Sequence, residues 1–149
     1  MVMVKVVVSI PAEPIAQGRP RLSSRGGFAR AYDPPKSRSW KAFVADYAER
    51  AMEKAGLDTP MDGPIMVRIR FGFPLPKSQH RKTPKPMMWH MKRPDLDNLY
   101  KGVIDAMEGI VYHRDSEIVK VIMDKVIVPQ GEAPYVNALI EKVEALALS

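Results

Sequence analysis

Val2, Val4, Val6, Val8 and Ile10 fall on alternate positions, with Lys5 and Ser9 on the other side, so residues 2–10 read as a half-buried strand. The pattern then dissolves into Gly, Pro, Ser and Arg over 11–35, through Gln17-Gly18-Arg19-Pro20-Arg21 and Gly26-Gly27. That composition predicts a long loop, of a length usually functional or mobile. Over 36–55 the spacing becomes helical: Trp40, Phe43, Val44, Tyr47 and Ala51 share one face. Pro34 and Pro35 stand where a helix can begin, Ser37 or Ser39 can cap it, and Gly56 can stop it. This aromatic stripe is read as core packing and not as a base-stacking platform. Residues 65–73 alternate again, with Arg68 and Arg70 on the second face.

A second loop spans 74–94 and holds five prolines, at 74, 76, 84, 86 and 94. Met87, Met88 and Trp89 interrupt it and are expected to anchor its end to the body of the protein. Residues 95–108 form a second helical pattern, with Leu96, Leu99, Val103 and Met107 as its apolar face and Gly109 closing it. Residues 118–128 are apolar on both faces, as an internal strand would be, and a turn at 129–134 leads to a last strand over 135–143. The order β-α-β-α-β-β predicts an α+β fold, a two-layer mixed sheet with helices. At 149 residues, without internal repeat or linker, it reads as a single domain over 1–149.

Composition narrows the chemistry. With no cysteine, disulfides and thiolate metal sites are excluded, and His80, His90 and His113 have no zinc-like spacing. A metal would be held mainly by oxygen, which selects magnesium or manganese. No apolar run reaches membrane-spanning length, and the opening segment lacks a basic leader and a small-residue cleavage site, so a cytoplasmic location off the membrane is expected. The net charge of +6 is uneven. Arg19, Arg21, Arg25, Arg30, Lys36, Arg38 and Lys41 cluster with Asp33 as the one acid among them, and Lys77, Arg81, Lys82, Lys85, Lys92 and Arg93 cluster with none. Phosphate contacts are the leading use of such segments, solvated surface the alternative.

Between these segments and the last strands lies an acidic knot, Asp95-Leu-Asp97-Asn98-Leu-Tyr-Lys101, with Asp115 a helix length further on. Singly, Asp95 suits an N-cap and Asp97 a dipole-favoured first-turn position. Asp97, Lys101 and Asp105 share a helix stripe, where Asp97–Lys101 can be a plain surface pair. A short return could bring Asp115 back toward Asp95 and Asp97. Three converging carboxylates repel one another, and a divalent cation would relieve that repulsion, generate hydroxide and clamp a phosphodiester. Lys101 would then stabilise charge on the phosphorane. Asp105 and Glu117 are second-tier candidates, Asn98 suits a backbone contact, and His113 is a candidate base that loop position alone also explains.

Arg93-Pro-Asp-Leu-Asp-Asn-Leu-Tyr-Lys101, then Asp105-Ala, Gly109 and Asp115-Ser-Glu-Ile-Val119, resembles the RusA family of Holliday junction resolvases. The likeness is sharpest over 92–128, with weaker echoes in the opening strand, Gly18-Arg-Pro-Arg21 and the first helix. It implies a homodimer that cuts four-way junction DNA with magnesium, or manganese, in recombination and repair. It maps an acidic metal-binding triad onto Asp95, Asp97 and Asp115, with Lys101 as the catalytic lysine. Paired acids are common at the third position in that family; Arg114 stands here in place of the first. A phage or prophage origin is typical. Arg19, Arg21, Arg25, Lys82, Lys85, Lys92 and Arg93 are the expected DNA contacts. The alternatives are a metal nuclease for other branched or flap DNA, and a non-catalytic nucleic-acid-binding protein.

Overall fold

Ile65–Phe73 is the strand around which the sheet is built: it stands at the centre of the five and is paired along most of its length on both sides. A computed structural model describes residues 4–18, 21–23, 30–32 and 35–144. The strands are β1 (Lys5–Ile10), β2 (Arg21–Ser23), β3 (Arg30–Tyr32), β4 (Ile65–Phe73), β5 (Met88–Trp89), β6 (Ile118–Ile127) and β7 (Tyr135–Lys142), and the helices α1 (Pro35–Lys54) and α2 (Leu96–Met107). Five strands form a mixed sheet in the order β1-β7-β4-β6-β5, while β2 and β3 form a separate hairpin inside the first basic loop. β6 runs parallel to β4, the segment between them carrying α2, and the other pairings are antiparallel. β6 and β7 are consecutive but flank β4 on opposite sides. The α+β expectation and the order of the four long strands and two helices hold.

Alternation decides which face is covered. Val6, Val8 and Ile10, Ile65, Val67, Ile69, Phe71 and Phe73, and Val136, Ala138 and Ile140 form one core with the helices. From α1 come Trp40, Val44, Ala48, Ala51 and Met52; from α2 come Leu99, Val103, Ile104 and Met107. The opposite face, with Lys5, Val7 and Arg68, is exposed.

Two sequence expectations change here. β6 was expected to be internal, yet Val119, Val121 and Ile122 are exposed. Its neighbour β5 pairs only with Val126 and Ile127, and the buried core draws its sheet residues from β1, β7 and β4, so an apolar strand is left near the sheet's edge. The aromatic stripe of α1 is only partly core: Trp40 is buried, Tyr47 half-buried, and Phe43 40% exposed. Phe43 lies between them, stacked on Trp40 at 6.1 Å and tilted against Tyr47 at 5.1 Å, because the buried face is centred nearer Val44 and Ala48.

Side chains from β6 and from the turn that follows it brace the second basic loop. Gln130 Oε1 accepts the N–H groups of Arg81 (3.1 Å) and Lys85 (3.4 Å), and its Nε2 donates to the Arg81 carbonyl at 2.8 Å. The expected anchoring of the Met87-Met88-Trp89 end is made by backbone, since β5 pairs with β6 while Trp89 is 66% exposed. Lys125, on β6, donates its ammonium to the carbonyls of Lys92 and of Pro94, the latter at 2.7 Å. That fixes the chain immediately before α2. His90 packs tilted against Phe73 at 4.5 Å, and its buried Nδ1 has no hydrogen-bond partner among the described residues.

At the far end of α2, Tyr112 is fully buried and its hydroxyl donates to the Ile104 carbonyl, which also accepts the Glu108 N–H at 3.2 Å in the last turn of the helix. Gly109, at φ 81°, turns the chain there, and its N–H meets the Tyr112 carbonyl at 2.7 Å.

Tyr112→Phe should therefore cost about 1 kcal/mol in urea unfolding, one net hydrogen bond, and Tyr112→Ala about 3–5 kcal/mol from the cavity. A pH effect is expected at His90, whose pKa burial, then the Lys125 charge, holds below 6.5. Its neutral form is the one the fold favours, so the stabilisation is complete above the unfolded pKa and is lost as pH falls through the folded one. Between about pH 7.5 and pH 5.5 wild type should lose more Tm than His90→Gln. The His90 ring in Lys125→Met should titrate, by NMR, nearer its ordinary value.

Candidate active site

Asp95 is the N-cap of α2, in an extended conformation with φ −74° and ψ 150°, the ordinary backbone for that position. Its carboxylate nevertheless makes no capping hydrogen bond. Asp97 stands in the first turn, where the helix dipole favours negative charge. Both side chains are exposed, and neither is hydrogen-bonded or ion-paired to a described residue. Lys101, one turn on, is exposed too, and no ion pair joins it to Asp97. The two plain structural roles open to these groups, cap and i,i+4 pair, are thus not taken up.

Asp115 opens the 3-10 turn Asp115–Glu117 that leads into β6. The turn is closed by Glu117, whose Oε1 accepts the Arg114 N–H at 2.9 Å while its own N–H donates to the Arg114 carbonyl at 3.1 Å. Glu108, just past the end of α2, accepts the Asp115 N–H on Oε1 at 3.1 Å and so sets where that turn begins. The Asp115 side chain is exposed. Its charge reaches α2: the half-buried Tyr100 hydroxyl has its pKa raised first by burial and then by Asp115.

Among the described residues no group of three or more His, Cys, Asp or Glu side chains stands close enough to hold a metal ion. Asp95 and Asp97 both stand at the start of α2, and Asp115 opens the turn that leads from the return after α2 into β6. Other acids are engaged elsewhere. Asp105 lies 3.8 Å from Lys41 Nζ and links the two helices, and His113 Nε2 contacts Asp62 Oδ1 at 2.8 Å. Asn98 uses its backbone: its carbonyl accepts the Gln17 N–H at 3.0 Å.

That last bond matters for the basic segments. With the Gly18 N–H donating to the buried Ser37 hydroxyl at 2.8 Å, it pins the start of the first basic loop to the first turn of α2. Arg19 and Arg25 lie outside the described residues, and Arg21 begins β2. Lys82, Lys92 and Arg93 are exposed and Lys85 half-buried on the second loop, which ends at Asp95. The second loop therefore runs into the helix start from which Asp95 and Asp97 project, and the first departs from beside it at Gln17.

Sequence reading missed the positioning residues Glu108, Tyr100, Gln130 and Lys125. Glu108, Gln130 and Lys125 work by holding backbone groups of other segments, which no local pattern marks.

The family model described as endodeoxyribonuclease RusA matches residues 11–136. A Bacillus subtilis (strain 168) protein described as uncharacterized protein YqaN is 34% identical over 143 residues, which is 92% of this chain and 96% of that one. No helix among the described residues is long and apolar enough to cross a membrane. A match that begins in the first basic loop and runs through α2 and β6 to the start of β7 places this chain in the RusA family of endodeoxyribonucleases.

Proposed function

We propose that the protein is a divalent-metal-dependent endodeoxyribonuclease that resolves four-way DNA junctions as a homodimer, in recombination and repair. The carrying observation is the pair Asp95 and Asp97, exposed at the start of α2 without a described partner, where the second basic loop ends and the Gln17 N–H anchors the first. Carboxylates so placed would repel a DNA phosphate. A cation shared between them and the phosphate reverses that sign.

The donor set fits such an ion. All three candidate ligands, Asp95, Asp97 and Asp115, offer carboxylate oxygens, the donors that magnesium and manganese take. Magnesium is commonly held by one or two carboxylates together with substrate phosphates, so a pre-assembled cage of three is not needed. When bound, the ion supplies Lewis-acid polarisation and an acidified water. The chain's own part is to orient and to neutralise. Lys101, unpaired with Asp97, is available to the phosphate oxygens as charge develops. Lys82, Lys85, Lys92 and Arg93, with Arg19, Arg21 and Arg25, would contact phosphates without reading bases. A twofold dimer presents two identical sites, which is what paired symmetric nicks require.

The test is cleavage of a labelled synthetic junction with magnesium, beside duplex and flap controls. Wild type should give paired symmetric nicks in the junction alone, and Asp95→Asn or Asp97→Asn should lower the rate at least about a hundredfold with binding kept or tightened. Loss of binding in parallel would make these acids structural. Cutting of flaps as readily as junctions would point to a broader branched-DNA nuclease. Lys101→Ala should reduce cleavage more than affinity. Charge reversal at Arg19 and Arg21 should weaken binding to every junction sequence and flatten its salt dependence.

A further inference from the structure

One bond fixes the phase of the ladder between β1 and β7. The Val4 carbonyl accepts the Lys142 N–H at 3.2 Å, and Lys5–Ile10 continues antiparallel to β7 without a break in register. Hydrogen-bonded pairs alternate along such a ladder, so Val4, Val6 and Val8 turn their backbone groups to β7. The N–H and C=O groups of Lys5, Val7 and Ser9 therefore point outward, and β1 has no strand on that side among the described residues. Neither proline nor bulge blunts this edge.

The same three residues form one wall of a groove of about 560 Å³. Its other wall is the second half of α1, where Tyr47 and Ala51 offer apolar surface and Arg50 and Lys54 positive charge. No Asp or Glu lines it. Arg50 lies over the Tyr47 ring at 5.0 Å and meets Asp46 through Nη2 at 2.8 Å, which leaves the rest of its donor fork for a second carboxylate. Lys5 and Lys54 are exposed, with no ion pair among the described residues.

We infer that this groove takes an extended acidic segment of another protein, added to β1 as a further strand beside α1. Main-chain bonds to Lys5, Val7 and Ser9 supply the affinity, and side chains supply the selection. Lys5 and Ser9 are about 13 Å apart along the strand, a span for roughly five extended residues. Alternate side chains of the added strand turn toward Tyr47 and Ala51, which favours apolar groups there, and its acids meet Lys5, Arg50 and Lys54. A second copy of this chain fits poorly, because pairing edge to edge would bring two such sets of cations together. DNA fits poorly too: phosphate oxygens only accept, and cannot satisfy the outward C=O groups. The groove lies roughly 20 Å along α1 from Ser37, the residue tied to the start of the first basic loop. A partner held there leaves the Asp95 and Asp97 end open, so the surface serves to recruit the protein and not to block it.

The probe is a fluorescein-labelled hexapeptide of alternating Asp and Val, titrated with the full chain beside an alternating Lys and Val peptide. By anisotropy the acidic peptide should bind at least about tenfold tighter. Lys5→Glu with Lys54→Glu, both exposed and unpaired, should remove that preference without changing the thermal melt or junction cleavage. Amide exchange by NMR reads the strand itself. The Lys5, Val7 and Ser9 amides should exchange fast in the free protein and become protected with the acidic peptide, while Val6 and Val8, already bonded to β7, stay as they were. Absence of binding, or equal binding of the basic peptide, would overturn the inference. An acidic peptide methylated on its backbone nitrogens that binds as well would also overturn it, since charge alone would then hold it. Protection of the three amides that rises with protein concentration, without peptide, would give the edge to a second copy. Protection by junction DNA in place of the peptide would give the groove to a DNA arm, and either result would sink the peptide site.

Discussion

The rotation of α2 about its own axis is the constraint on which the rest of the site depends. Leu99, Val103, Ile104 and Met107 are buried against α1 and the sheet. Each such side chain contributes on the order of 1.5–3 kcal/mol by leaving water. A surface i,i+4 pair contributes a few tenths. Packing therefore decides which way the helix faces, and Asp97 and Lys101 are turned outward as a consequence. Turning the helix by one residue, roughly 100°, would expose the core to regain one weak pair.

A second consequence follows from having only two helices for a five-stranded sheet. They cover one face and leave Lys5, Val7, Arg68 and Ile122 on the other. The bidentate Arg70–Asp124 pair is the polar tie on that side, joining β4 to β6, and it raises the arginine's pKa chiefly through the hydrogen bond to Asp124. The same shortage of cover explains why β6 is apolar on both faces and yet exposed. Periodicity alone reads such a strand as internal, because the pattern records which positions are apolar and not what covers them.

The long elements were legible in the sequence because each has a period long enough to register. β4 alternates over its whole length, and α1 and α2 repeat at helical spacing. The hairpin of β2 and β3 and the two residues of β5 were not legible, since three or two residues carry no period. Phe43 was misassigned for a different reason: helical spacing gives a face to within a residue, and the boundary between buried and exposed falls inside that margin. At the site, spacing placed Asp95, Asp97 and Lys101 on α2 correctly. It did not show that the cap and pair would go unused, because that depends on side-chain competition. Nor could it show Lys125 or Glu108, which work by reaching backbone groups of distant segments.

Asp95 and Asp97 stay unpaired in a chain of net charge +6, although Lys92, Arg93 and Lys101 stand close by in sequence. Other cations have other work: Lys125 holds the carbonyls of Lys92 and Pro94, Lys41 lies against Asp105, and Arg70 is committed to Asp124 on the open face of the sheet. Leaving Asp95 and Asp97 without such partners costs little in the free protein, because an exposed ion pair contributes only about 0–1 kcal/mol in water. The balance shifts when DNA arrives. Phosphates exclude water, the local dielectric falls, and unpaired carboxylates facing phosphate become strongly unfavourable. Only a cation placed between the two anions removes that repulsion, and a carboxylate already tied to lysine would have less charge left to hold it. On the proposed reading, the unused cap and the unformed ion pair are thus conditions for catalysis.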